Sequence, residues 1–200
     1  GPEFHAYVAG GPADDHEGTV EADAVARARQ GMRAMLRLGS AWYDVESQIT
    51  AITEKGLDPR NFILCTDDCH SGTLVHDGHM NRVVRHAIAC GADPLVALQM
   101  ATINTATHFG LEREIGSITP GRRADVILTS DLRKLPIEHV IARGPLQPMP
   151  HRPGQSVHHQ QPRREPPEPG LLFSPPGDEP CPCPERLRER GRRERYCGEG

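Results

Sequence analysis

The segment LCTDDCHSGTLVHDGHM, from Leu64 to Met80, sets two adjacent aspartates, Asp67 and Asp68, and three histidines, His70, His76 and His79, directly after an apolar run. One carboxylate of such a pair could ligate a divalent metal and take a proton from metal-bound water. Its neighbour, facing the other way, could then bind substrate. The same pair could equally form an Asx turn or cap a helix. The three histidines are irregularly spaced and match neither a zinc-finger pattern nor His-Glu-x-x-His.

A second candidate is DDHEGT, Asp14 to Thr19. His16 could ligate a metal or hold a hydrolytic water, with Asp15 or Glu17 orienting its ring, or it could be an ordinary loop histidine. Arg37, on the alternate face of MRAMLRL, could face a substrate or solvent. Cys181-Pro-Cys183 is a thiol pair in a proline-rich setting where no metal site is expected.

These residues need elements to position them. MRAMLRL alternates Met32, Ala34, Leu36 and Leu38 against Arg33, Met35 and Arg37, the pattern of a strand. NFILCT reads as a strand buried on both faces, as in parallel sheets. A third strand is expected just before DDHEGT. Between these lie helical signals. Thr19 is the expected cap of a helix running to Gly31, with Glu21 and Asp23 in its first turn. Ser40 is the expected cap of a second helix whose buried face carries Trp42, Val45, Ile49 and Ile52. Met80, Val83, Val84, Ala87 and Ile88 form an apolar helical stripe, and Asp93-Pro94 opens a further helix carried to Gly110. The segment GSITPGRRADVILTSDL reads as a turn followed by a strand.

Alternating strands and helices predict an α/β fold with parallel strands, of the kind that builds a (β/α) barrel. A closed barrel needs eight strands and about 250 residues. Three units therefore predict either a small open sheet or the C-terminal part of a larger barrel. In a barrel, the residues following each strand form the rim where catalytic groups project, and Asp67 and Asp68 stand at such a place.

Composition bounds the remaining classes. The net charge of −4 gives no reason to expect a nucleic-acid or acidic-lipid partner. No apolar run approaches the roughly 18 residues of a membrane helix, and Gly1 to Gly11 lacks the features of a secretory signal. A cytoplasmic protein with free thiols is expected. Thirteen of the nineteen prolines lie at or after Pro145, where the sequence is rich in Arg, contains no Lys and shows no apolar period. Residues 145–200 are therefore expected to be a disordered tail, or the translation of an unintended reading frame.

Together CTDDCH, GHMNRVVRHAI, GADPLVALQMATINTATHFGL and GSITPGRRADVIL resemble the C-terminal half of the barrel of the bacterial adenine deaminases, within the amidohydrolase superfamily. AYVAGGPADDHEGT and GMRAMLRLGS are similar to that family's sixth and seventh barrel strands. The resemblance runs from about Glu3 to Ile141. It implies residues 1–115 as the incomplete α/β TIM barrel, 116–144 as a return strand of a small β domain, and the tail thereafter. It also implies a binuclear divalent metal site, usually manganese or iron, that turns adenine into hypoxanthine and ammonia. Asp67 and His16 would be catalytic and metal-binding, while Asp68, His70, Arg37 and Glu17 would lie on the substrate side. No nucleic-acid or membrane partner is implied, and the complete enzyme would be a homo-oligomer.

The family's remaining metal ligands, from earlier strands, should precede Gly1, so this chain alone is expected to be inactive. Where the family commonly reads Arg-Glu-Gly, this chain has Arg37-Leu38-Gly39, which is expected to weaken one polar contact. Two other readings remain: a different cyclic amidohydrolase, akin to a dihydroorotase or hydantoinase, and a nonenzymatic module whose Arg-rich tail binds nucleic acid.

Overall fold

A computed structural model of the chain describes residues 1–149. Its centre is a parallel sheet of three strands in the order β1 (Asp14–Asp15), β2 (Arg33–Arg37) and β3 (Phe62–Cys65). Ala34 pairs with Phe62 and Arg37 with Cys65, so β2 and β3 end level with each other. A short helix, α1 (Pro2–Ala9), precedes β1 and buries no residue. Each connection between the strands is helical: α2 (Glu21–Arg29) follows β1, and α3 (Val45–Gln48) with α4 (Thr50–Thr53) follows β2. After β3 come α5 (Ser71–His76), α6 (Met80–Ala89), α7 (Pro94–Met100) and α8 (Ile103–His108).

The alternation in MRAMLRL has the expected consequence. Ala34 and Leu36 are fully buried against the helices, together with Phe62 and Leu64 of β3, Val45 and Ile49, Val83 and Ala87 of α6, and Met100 of α7. Full burial of a Leu, Ile or Phe side chain stabilises by roughly 1.5–3 kcal/mol, so this one-sided core is what holds the helices on the sheet. Asn104 of α8 ties that helix to β3 by donating to the carbonyls of Pro59 and Phe62 at 2.9 and 3.1 Å.

A second sheet is antiparallel: β4 (Val126–Leu128), β5 (His139–Ile141) and β6 (Leu146–Gln147), in that order. The single strand expected within 116–144 is thus one of three. Pairing of Leu146 with Ile141 carries ordered structure past Gly144. The rest of the expected tail, with Cys181 and Cys183, lies outside the described residues. Among the described residues no helix is long and apolar enough to cross a membrane.

Several local expectations change. The strand before DDHEGT is two residues long, and Pro2–Ala9 ahead of it is helical. The N-cap of α2 is Val20 and not Thr19, because the Asp23 carboxylate reaches back to accept from the backbone N–H groups of Thr19 (3.0 Å) and Val20 (3.3 Å). Ser40 caps no helix. Gly39 N–H donates to the Trp42 carbonyl at 2.9 Å, so residues 39–42 form a turn, and helix begins only after Asp44. Asp93 caps α7 as expected, accepting from Leu95 and Val96. That helix does not continue to Gly110, however. Thr102 Oγ1 donates back to the Leu98 carbonyl at 2.6 Å at the break between α7 and α8, a local bond that competes with the helical ladder.

Candidate active site

Because β1, β2 and β3 run parallel, their C-terminal ends share one edge of the sheet. His16 is the first residue after β1, Arg37 the last of β2, and Asp67 the second after β3. Their side chains converge there. His16 Nε2 stands 3.6 Å from Asp67 Oδ1 and 3.3 Å from Glu17 Oε1. Arg37 Nη1 lies 3.2 Å from Asp67 Oδ2 and 3.0 Å from Glu17 Oε2, while Arg37 Nε donates to Asp44 Oδ2 at 2.6 Å.

The backbone that aims these groups is firmly held. Asp67 has a φ of 55°, in the left-handed region that few non-glycine residues occupy. Gln48, buried in α3, donates to the Gly18 carbonyl at 2.6 Å, and Asp15 accepts from the Glu17 N–H at 2.8 Å. Arg27 of α2 pairs with Asp15. The His16–Glu17 loop is therefore tied to two helices.

Arg37, expected to face substrate or solvent, is instead sealed in. Its side chain is 4% exposed, and its guanidinium is occupied by three carboxylates and covered by the Trp42 ring, whose centroid lies 5.1 Å away. The hydrogen bond to Asp44 and the nearby Glu17 charge hold that guanidinium more firmly protonated than an isolated arginine, against the opposing effect of burial. The neighbouring Cys65 thiol is pushed up to about 11, first by burial and then by the Asp67 charge, so it is a neutral wall residue and no nucleophile.

Asp68 and His70 make their contacts with the backbone around Ser40. The Asp68 carbonyl accepts from Ser40 N–H at 2.9 Å, and its Oδ2 accepts from Ala41 N–H at 3.2 Å. His70 N–H donates to Ser40 Oγ at 2.8 Å, and its Nδ1 accepts from Gly72 N–H as the cap of α5. Both anchor the 39–42 turn. His76 ends α5 and His79 precedes α6. Leu38, at the position where the family commonly carries Glu, is 2% exposed and packs in the core.

Three contributors escaped the sequence reading: Asp44, Trp42 and Arg82, whose Nη2 donates to the Leu38 carbonyl at 3.0 Å and also to that of Gly39. Helical periodicity puts Trp42 on a buried face and Asp44 within the same helix, whereas Trp42 is exposed and Asp44 is the residue before α3. Gly39-Ser40, a turn pair placed right after a strand, is the sequence signal for this turn.

Among the described residues no three His, Cys, Asp or Glu side chains converge as a metal-holding group. His16 and Asp67 offer one donor group each, and Glu17, 3.3 Å from His16, is like Asp67 already engaged by the Arg37 guanidinium. A metal site with its usual complement of ligands does not fit these residues alone.

The amidohydrolase family model matches residues 15–146. The adenine deaminase of Roseobacter denitrificans is 89% identical over 144 residues, and that of Ruegeria pomeroyi 88% over the same length. The adenine deaminase of Rubrobacter xylanophilus is 50% identical over 147 residues. Each alignment covers 72% of this chain but 24% of the relative, so the chain spans about a quarter of the length of these curated relatives. The family match takes in His16, Arg37 and Asp67 at one edge of a parallel sheet and extends over more than half of the residues: the chain belongs to the amidohydrolase family.

Proposed function

We propose that this chain is the part of an adenine deaminase that supplies His16, Asp67 and their buried support to the hydrolysis of adenine to hypoxanthine and ammonia. The observation that carries this reading is the delivery of His16 and Asp67 from two parallel strand ends to within 3.6 Å of each other. The identity to proteins named adenine deaminase narrows the substrate.

The chemistry asks one group to move a proton. Water adds its oxygen to C6 of adenine and the bond from C6 to the exocyclic nitrogen breaks. Asp67 takes one proton from that water and hands it to the departing nitrogen, which leaves as ammonia, while the second proton stays with the new oxygen and passes to N1 as the product takes its oxo form. Arg37, held on Asp67 Oδ2, keeps the carboxylate oriented while Oδ1 faces His16. The family implies a divalent metal, with manganese or iron in a binuclear site as the specific proposal. His16 and Asp67 cannot complete such a site, so we infer that the 200 residues alone do not turn adenine over.

The test grafts residues 1–146 in place of the matching segment of the Roseobacter denitrificans relative and follows ammonia release from adenine with manganese or ferrous iron. The graft is expected to release ammonia, and Asp67→Asn to lower the rate by at least about a hundredfold. The isolated chain is expected to release none. A folded graft that leaves adenine intact but opens a dihydroorotate or hydantoin ring would overturn the assignment.

A further inference from the structure

Gln48, in the one-turn helix α3, is 1% exposed, more deeply buried than Arg37, Asp44 or Asn104. A buried amide is costly unless its polar atoms find partners. Gln48 directs its Nε2 to the Gly18 carbonyl at 2.6 Å, two residues beyond His16. Gly18 is itself buried, and a Cβ on it would stand 2.7 Å from Gln48 Oε1, so the amide is pressed against the loop backbone. The neighbouring Ser47 Oγ donates to the Thr19 carbonyl, also at 2.6 Å. Two adjacent side chains of α3 thus hold two adjacent carbonyls of the loop.

The same turn of helix holds the other side of the cluster. Gln48 N–H donates to the Asp44 carbonyl at 3.1 Å, so the two side chains leave α3 one turn apart on one face. Asp44 grips Arg37 Nε at 2.6 Å, and Arg37 in turn meets Asp67 at 3.2 Å. Val45 and Ile49, both fully buried, fasten the helix into the core. The His16 ring is 45% exposed, and its polar contacts among the described residues are Glu17 and Asp67. Its place is therefore set by the backbone that carries it, which is the backbone that Gln48 holds.

We propose that Gln48 is a positioning residue for the deamination: it fixes the loop that carries His16, while Asp44 one turn away fixes Arg37 and through it Asp67. One rigid turn of helix then sets the spacing of two groups delivered by separate strands. The catalytic consequence rests on the proposed deamination; the clamp itself does not. A misplacement of about 1 Å in a reacting pair can cost about a hundredfold in rate, so a single buried amide has leverage on turnover without touching substrate.

The test is made in the graft and has two arms. Hydrogen exchange, which needs no turnover, reads the clamp. Gln48→Met, which fills the space and removes the N–H donor, is expected to speed exchange of the Glu17 and Thr19 amides about tenfold or more, with Met35 and Leu36 of β2 unchanged. Gln48→Glu keeps the length of the side chain, loses only the donor and is expected to act in the same direction, which covers a Gln48→Met protein that does not fold. Kinetics read the positioning. Gln48→Met is expected to lower kcat about tenfold or more with KM for adenine within about threefold. Asn104→Leu, which removes a buried amide bonded to carbonyls at the start of β3, is expected to lower Tm and leave kcat alone. Loop exchange unchanged in both Gln48 variants overturns the proposal. So does a kcat that Gln48→Met leaves unaltered, or that falls equally in Asn104→Leu, while Asp67→Asn still abolishes turnover; the deaminase reading then stands. A wild-type graft that spares adenine sinks that reading instead, and the exchange arm decides the clamp by itself.

Discussion

Asp44 Oδ2 accepts a 2.6 Å hydrogen bond from Nε of Arg37, and this buried pair joins the end of β2 to the start of α3 directly beneath Trp42. The guanidinium meets Asp44 with one edge and Asp67 and Glu17 with another. A lone buried arginine would be costly; Asp44 makes its burial tolerable.

Asp44→Ala is therefore expected to destabilise the fold by about 2 kcal/mol or more in urea unfolding. That is below the roughly 3–5 kcal/mol for a fully orphaned buried charge, because Glu17 and Asp67 still face Arg37. Asp44→Asn, which keeps an acceptor oxygen, is expected to cost clearly less. Equal losses for the two variants would show that the charge, and not the hydrogen bond, is what matters.

Gly39 is needed for its lack of a side chain. A Cβ at this position would stand 2.6 Å from the Asp68 carbonyl oxygen and 2.9 Å from that of Thr66, both backbone atoms that cannot step aside. Gly39→Ala is expected to cost about 1–3 kcal/mol and to push the 39–42 turn off its anchors. A lowered Tm together with a shifted Trp42 emission maximum checks this. A variant with unaltered emission would mean that the segment after β3, Thr66 to Asp68, yields and the turn does not.

His86 gives the fold a pH dependence away from the cluster. It is half-buried near the end of α6, with Cys90 Sγ 3.6 Å from its Nε2 and the charges of Arg82 and Glu46 nearby. Burial, and then Arg82, hold its pKa below the ordinary value of about 6.5, against the opposing pull of Glu46. The unfolded chain thus binds this proton first as pH falls. The associated stability is present above about pH 6.5 and is lost as pH drops through the lower folded value. Melting wild type and His86→Leu side by side from pH 7.5 to 5 is expected to show the wild-type Tm falling more steeply. Parallel curves would sink the assignment.

Much of the scaffold was legible because it is local and periodic. The alternation through Leu36 and Leu38, the apolar run Phe62 to Leu64, and the Asp93-Pro94 cap each name their element from the chemistry of a few neighbours. The motif order likewise identified the family, and it singled out His16, Glu17, Arg37 and Asp67, which the structure brings together. What the sequence could not decide is which way the linking residues turn. Trp42 fits a helical period with Val45 and Ile49, yet long-range bonds from Asp68, His70 and Arg82 hold its segment as a turn and leave the indole in water. The burial of Arg37 depends in the same way on carboxylates that come from three separate segments, after β1, after β2 and after β3. Periodicity reports on neighbours in the chain, whereas the partners of a charge or a ring are chosen by the tertiary fold that surrounds them.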